Sequence, residues 1–168
     1  MFKEDASSAN FLANHKSVWE NTVPLSSLVG RASEFDAIFF PGGHGPMFDI
    51  ASDKDAIALT EAIYAAGKPV AGVCHGSVAL VAPKTKEGVS ILSGRRVTGF
   101  SNAEEDTVQM TAAMPFLLED AIVKAGGKYE KAEEQFGKKV IVDGQIITGQ
   151  NPASSVGVGE ELAKALGI

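Results

Sequence analysis

KPVAGVCHGSVAL, residues 68–80, is the stretch that decides how the chain is read. Pro69-Val70-Ala71-Gly72-Val73 is a short apolar run of the kind that forms a strand buried on both faces of a parallel sheet. Ser77-Val78-Ala79-Leu80-Val81 reads as the start of a buried helix. Cys74, His75 and Gly76 lie between them with almost no length in which to turn, which is the layout of a nucleophile elbow. A lone cysteine in an apolar strand is by default a packed structural residue. Here Gly72 and Gly76 bracket it and an imidazole follows it, which packing alone does not require. The helix N-terminus beneath the turn is expected to favour thiolate over thiol.

Working outward, Phe35-Asp36-Ala37-Ile38-Phe39-Phe40 is a second apolar strand, broken by Pro41-Gly42-Gly43-His44-Gly45-Pro46. Ser52 or Asp53 caps a helix over Asp55 to Ala66, with Ile57, Leu59, Ile63 and Tyr64 inward and Gly67 ending it. Ser7 to Trp19 carries a weak helical pattern, and Leu25 to Ala32 is a connector or short helix. Beyond the elbow, one or two short strands are expected around Arg95 to Thr98, followed by an acidic loop over Ser101 to Asp106. A helix over Thr107 to Ala125 is interrupted at Pro115, with Phe116, Leu117 and Ile122 inward. Lys139 to Thr148 is a hairpin about Asp143-Gly144, read as a type I′ turn. Gly149 to Ser155 is a loop, and Val156 to Leu166 is the last helix. Strands alternating with helices give an α/β fold with a mainly parallel sheet, whose site lies at the carboxyl ends of the strands. Both glycine-rich loops, at Gly43 and at Gly76, fall at such ends.

The chain has 168 residues, 45% of them apolar, which suits one globular domain over 1–168. A formal charge of -6 argues against nucleic acid or an anionic membrane as partner. No run is long and apolar enough to span a bilayer, and the start lacks the apolar core of a secretory signal. The single cysteine allows no internal disulfide and fits a reducing cytoplasm.

Three histidines are available to work with Cys74. His15 falls on the polar face of a surface helix. His44 lies in the glycine loop, where it either lines the pocket or is present for its backbone. His75 is fixed beside the nucleophile and needs a carboxylate to orient its ring, for which Glu104 and Glu105 are the candidates. Backbone N–H groups near Gly43 and His44, with that of His75, are placed to meet a developing oxyanion. One cysteine and scattered histidines do not show metal-ligand spacing, so no metal or other cofactor is expected. The glycine loop also lacks the lysine of a nucleotide phosphate loop.

Phe39-Phe40-Pro41-Gly42-Gly43-His44-Gly45, Val73-Cys74-His75-Gly76, Val97-Thr98-Gly99-Phe100 and Thr148-Gly149-Gln150-Asn151-Pro152-Ala153-Ser154-Ser155, in that order, resemble the DJ-1/PfpI superfamily. Within it they are most similar to the Hsp31-like branch of glutathione-independent glyoxalases and chaperones. The resemblance implies a flavodoxin-like three-layer sandwich and a catalytic set of Cys74, His75 and Glu105, with Glu104 as the near alternative. The oxyanion- and substrate-binding set is then Gly43, His44, Gly76 and Asn151. It implies a small 2-oxoaldehyde such as methylglyoxal as substrate, converted to a 2-hydroxy acid through a Cys74 hemithioacetal. The alternative in the same family is a stress-response chaperone or a cysteine oxidation sensor. Class I glutamine amidotransferases share the fold and the elbow cysteine but use a distal histidine near the C-terminus, and no histidine follows His75.

Members of the superfamily open with a strand, a helix and a second strand ahead of the position of Met1, and an acidic residue there hydrogen-bonds the nucleophile. Against that pattern the sequence reads as N-terminally truncated. The strand Asp36 to Phe40 then has an uncovered apolar edge, so a homodimer, or association with an N-terminal segment, is the expected partner arrangement.

Overall fold

The computed structural model describes residues 5–168; Met1–Glu4, which the single-domain reading includes, lie outside the described residues. Its centre is a four-stranded sheet in the order β1–β2–β6–β5. β1 (Ile38–Phe40), β2 (Val70–Val73) and β6 (Ile146–Gly149) run parallel, and β5 (Val140–Asp143) is antiparallel to β6. A separate parallel pair, β3 (Arg96–Val97) and β4 (Lys128–Tyr129), sits alongside, tied to the sheet where Thr98 N donates to Thr148 Oγ1 (3.0 Å). The helices α1 (Ala6–Asn14), α2 (Ser17–Glu20), α3 (Lys54–Ala65), α4 (Asn102–Thr107), α5 (Leu118–Lys124) and α6 (Ser155–Leu166) complete the α/β flavodoxin-like arrangement.

β2 is buried at every position because it is covered on both edges and both faces. Its neighbour β6 is equally buried, and Val70, Ala71, Ile146 and Ile147 form the middle of the core. α3 begins where the Asp53 carboxylate accepts from Ala56 N (2.7 Å), so Asp53 rather than Ser52 is the cap. Lys68, at the foot of β2, gathers the segment before β1: its Nζ donates to the carbonyls of Ala32 (3.2 Å), Ser33 (3.3 Å) and Phe35. β1 is shorter than the run Phe35 to Phe40 suggests, and it pairs with β2 alone among the described residues.

Several expectations change. The segment read as an acidic loop is α4, closed by a capping box in which Ser101 Oγ accepts from Glu104 N and the Glu104 carboxylate accepts from Ser101 N. The helix expected from Thr107 to Ala125 is reduced to a 3-10 turn at Thr111–Ala113 and then α5, because Pro115 and the extended residues beside it stop propagation. Phe116, expected inward, is 40% exposed, and Leu118 takes the buried place. In the β5–β6 hairpin Asp143 pairs with Ile146, so the turn residues are Gly144 and Gln145. Only Gly144 has positive φ (62°), which is the Gly-X pattern of a II′ turn rather than I′. The segment after β2 is a 3-10 helix, Cys74–Leu80, rather than an α-helix.

The elbow is held against the end of β1 by a contact that only glycine permits. A Cβ on Gly76 would lie 2.2 Å from Phe40 O and 2.6 Å from Pro41 O. Gly76→Ala is therefore expected to destabilise the protein by about 3 kcal/mol through overpacking, seen as a lower urea midpoint with an unchanged slope.

Candidate active site

Cys74 stands at the tip of the elbow with φ 57°, a left-handed conformation that a non-glycine residue adopts only when its surroundings impose it. Its side chain is almost fully buried. The backbone amides of His75 and Gly43 favour the charged form of the sulfur, and an added Cβ on Gly42 would lie 3.3 Å from Sγ, so the glycine loop and the elbow meet there. Burial nevertheless pushes the thiol up to about 11; the two amides pull the other way, and the charges of Glu104 and Glu105 add to the upward push. The expectation of a resting thiolate is thereby corrected, because desolvation outweighs the N–H groups of the turn.

His75 Nδ1 lies 3.4 Å from Cys74 Sγ, and His75 Nε2 donates to Glu105 Oε2 at 2.5 Å. This second contact fixes the tautomer: the proton sits on Nε2 and the bare Nδ1 faces the thiol. His75 is lowered from the usual imidazole value, chiefly by burial, against the raising influence of Glu105. A neutral thiol thus faces a neutral imidazole able to take its proton. Phe100 packs on that imidazole, with ring centroids 4.5 Å apart, and shields it from water.

The adjacent carboxylates of α4 have separate duties. Glu105 serves His75 with one oxygen and His44 with the other: His44 Nε2 donates to Oε1 at 2.8 Å. Glu104, fully buried, accepts from Ser101 N, Ser101 Oγ, Phe136 N and Asn151 Nδ2. It holds α4 in place and makes no bond to His75. The Ser101-x-x-Glu104 capping box is the sequence signal that distinguishes the two.

The structure brings Cys74, His75, Glu105, Gly43 and His44 together. Gly76 is close by but serves the packing of the elbow on β1. Asn151 does not fit the substrate-contact role expected for it. It is buried, and its Nδ2 donates to Glu104 Oε1 and Gly137 O (2.8 Å each), leaving no amide hydrogen for a ligand. His15 lies exposed after α1, remote in role, stacked on Phe11. The imidazole of His44 as a partner of Glu105, and Phe100 as the cover of His75, were not legible from spacing.

Among the described residues no helix is long and apolar enough to cross a membrane. Residues 20–165 match the model of the DJ-1/PfpI family. The probable glutathione-independent glyoxalase hsp3103 of Schizosaccharomyces pombe is 35% identical over 140 residues, covering 79% of this chain and 54% of that protein. Among solved structures, the Rapid Encystment Protein 24 KDa of Francisella tularensis superposes with a TM-score of 0.91 at 38% identity, over 98% of this chain and 72% of its own. Glyoxalase III of Candida albicans superposes with a TM-score of 0.74 at 29% identity, over 80% and 61% respectively. The chain spans about half the length of the curated relatives it matches. The elbow, the glycine loop and the paired carboxylates all lie within the matched residues, and the chain belongs to the DJ-1/PfpI family.

Proposed function

We propose that the chain carries a glutathione-independent, glyoxalase-type activity, converting methylglyoxal or a related 2-oxoaldehyde to the 2-hydroxy acid. The observation that carries this reading is the continuous line Cys74 Sγ–His75 Nδ1, His75 Nε2–Glu105 Oε2. The similarity to proteins named as glyoxalases supports the same substrate class.

In this mechanism the Cys74 thiol gives its proton to His75 Nδ1 as Sγ adds to the aldehyde carbon, forming a hemithioacetal. Proton transfer at the moment of attack suits a thiol whose resting state is neutral. The backbone amides of Gly43 and His75 stabilise the adjacent oxygen charge. His75 returns the thiol proton to the hemithioacetal oxygen. Again neutral and held by Glu105, it carries a proton from the former aldehyde carbon to its neighbour through an enediol while the hydroxyl proton passes to the neighbouring oxygen, leaving a thioester. Water hydrolyses the thioester and Cys74 recovers its proton. The balance is R–CO–CHO + H2O → R–CHOH–COO⁻ + H⁺, with no change in overall oxidation level and no need for glutathione or nicotinamide. The oxidation-sensor alternative is less well supported, since such cysteines are exposed and of low pKa, unlike Cys74. The edge of β1 that is unpaired among the described residues is compatible with a homodimer or with an added N-terminal segment, and a cytoplasmic location remains the reading of the lone thiol.

Three outcomes test this reading. Cys74→Ser is expected to abolish methylglyoxal turnover, followed as lactate without glutathione, while leaving the urea midpoint near that of the parent; residual turnover within a few-fold of the parent would refute it. Glu105→Gln should lower the rate of the folded protein by about 10- to 1000-fold, whereas Glu104→Gln should cost about 2 kcal/mol of stability and act on rate mainly through it. Since burial raises the Cys74 thiol to about 11, its thiolate fraction climbs throughout the neutral and mildly alkaline range. Alkylation by iodoacetamide should then accelerate about tenfold per pH unit from about pH 7 to about pH 10 without a plateau. A plateau near neutral pH would contradict the buried neutral thiol.

A further inference from the structure

His44 and Glu105 are 61 residues apart in the chain and His75 and Glu105 are 30 apart, yet one ligand atom from each of the three lies within 4.8 Å of the others. We propose that His44, His75 and Glu105 form an inhibitory binding site for a divalent transition-metal ion of the zinc type. Two imidazole nitrogens and one carboxylate are the donor set such borderline cations take, and three protein ligands leave a fourth position for water.

The charge around the site favours a cation. Glu104 and Glu105 are both buried, and among the described residues neither forms an ion pair with a lysine or arginine. The negative charge is countered only by hydrogen bonds and by the two imidazoles. Access is through His44, whose side chain is 35% exposed while those of His75 and Glu105 are 1% and 4% exposed.

The geometry asks for a small adjustment. The two N–H···O contacts measure 2.8 and 2.5 Å, whereas tetrahedral ligands on bonds of about 2.0–2.1 Å stand about 3.3 Å apart. Each imidazole must withdraw by roughly half an ångström or somewhat more. His44 can withdraw toward solvent, its side chain being 35% exposed where those of His75 and Glu105 are buried.

Inhibition follows from the tautomer. A metal on His75 Nε2 displaces that proton to Nδ1, the atom facing Cys74 Sγ. The imidazole stays neutral and no proton is lost overall. The thiol, however, no longer faces a bare nitrogen, and Glu105 is tied to the cation. Binding stands apart from the proposed reaction; only the inhibition rests on it.

The experiment titrates zinc sulfate into metal-free protein by calorimetry. One zinc per chain is expected, with affinity lowered at least about tenfold in His44→Ala and Glu105→Gln and retained in Cys74→Ser. His44→Ala, at a partly exposed position, serves as the decisive variant should Glu105→Gln misfold. Absence of binding, equal affinity in His44→Ala, or loss of binding in Cys74→Ser would overturn the site. Methylglyoxal turnover should fall over the same zinc concentrations and return on adding EDTA; turnover unchanged or raised by bound zinc would overturn the inhibitory role. Zinc binding as expected by a metal-free parent that shows no turnover would leave the metal site standing and remove the glyoxalase reading.

Discussion

Everything at the site depends on how closely the elbow approaches the end of β1. Gly76 lies where any side chain would run into the carbonyls of Phe40 and Pro41. Gly42 repeats the constraint from the other side, where an added Cβ would lie 2.6 Å from Cys74 Cβ. This contact brings two loops from the ends of β1 and β2 into one place. The glycine loop therefore lies against Cys74 and the ring of His44 reaches Glu105. Parallel pairing of β1 with β2, Phe40 opposite Gly72, sets the register that makes the approach possible.

The two neighbouring glutamates show how a short helix separates structure from chemistry. Successive residues of a helix point in directions about 100° apart, so Glu104 and Glu105 of α4 face different surroundings. Glu104 is consumed by four donors from three parts of the chain and anchors α4 beside the last loop. With that anchor in place, Glu105 is held between His75 and His44. A carboxylate doing both jobs would have had to move whenever its catalytic partners moved.

The electrostatics of Cys74 reflect a balance between pre-organisation and burial. The amides at the sulfur favour negative charge, while the apolar surroundings and two nearby carboxylates oppose it, and burial is the larger effect. A thiol kept neutral until a substrate arrives is protected from adventitious oxidation, which proceeds through the thiolate. The cost is that the nucleophile needs a base within reach, which the Nδ1 of His75 supplies.

The elbow, the glycine loop, α3 and the β5–β6 hairpin were legible in the sequence because each rests on contacts between residues close along the chain. Apolar runs, a cap at Asp53, and glycines at the turns are local requirements that composition and spacing record directly. The family resemblance was carried by the same local motifs. What the sequence could not decide was which polar atoms face each other across the fold. The acidic stretch was a loop on composition and became α4 through a capping box. Asn151 sat in a motif beside the site and proved to be the anchor of Glu104. His44 was a loop histidine until tertiary packing placed it on Glu105, making a three-ligand cluster from residues far apart in the chain. The thiol's resting protonation was likewise set by the fold, because desolvation depends on atoms from every surrounding element, whereas the amides that oppose it are partly local. Local backbone chemistry is written in neighbouring residues; side-chain partnership and burial exist only once distant segments have been brought together.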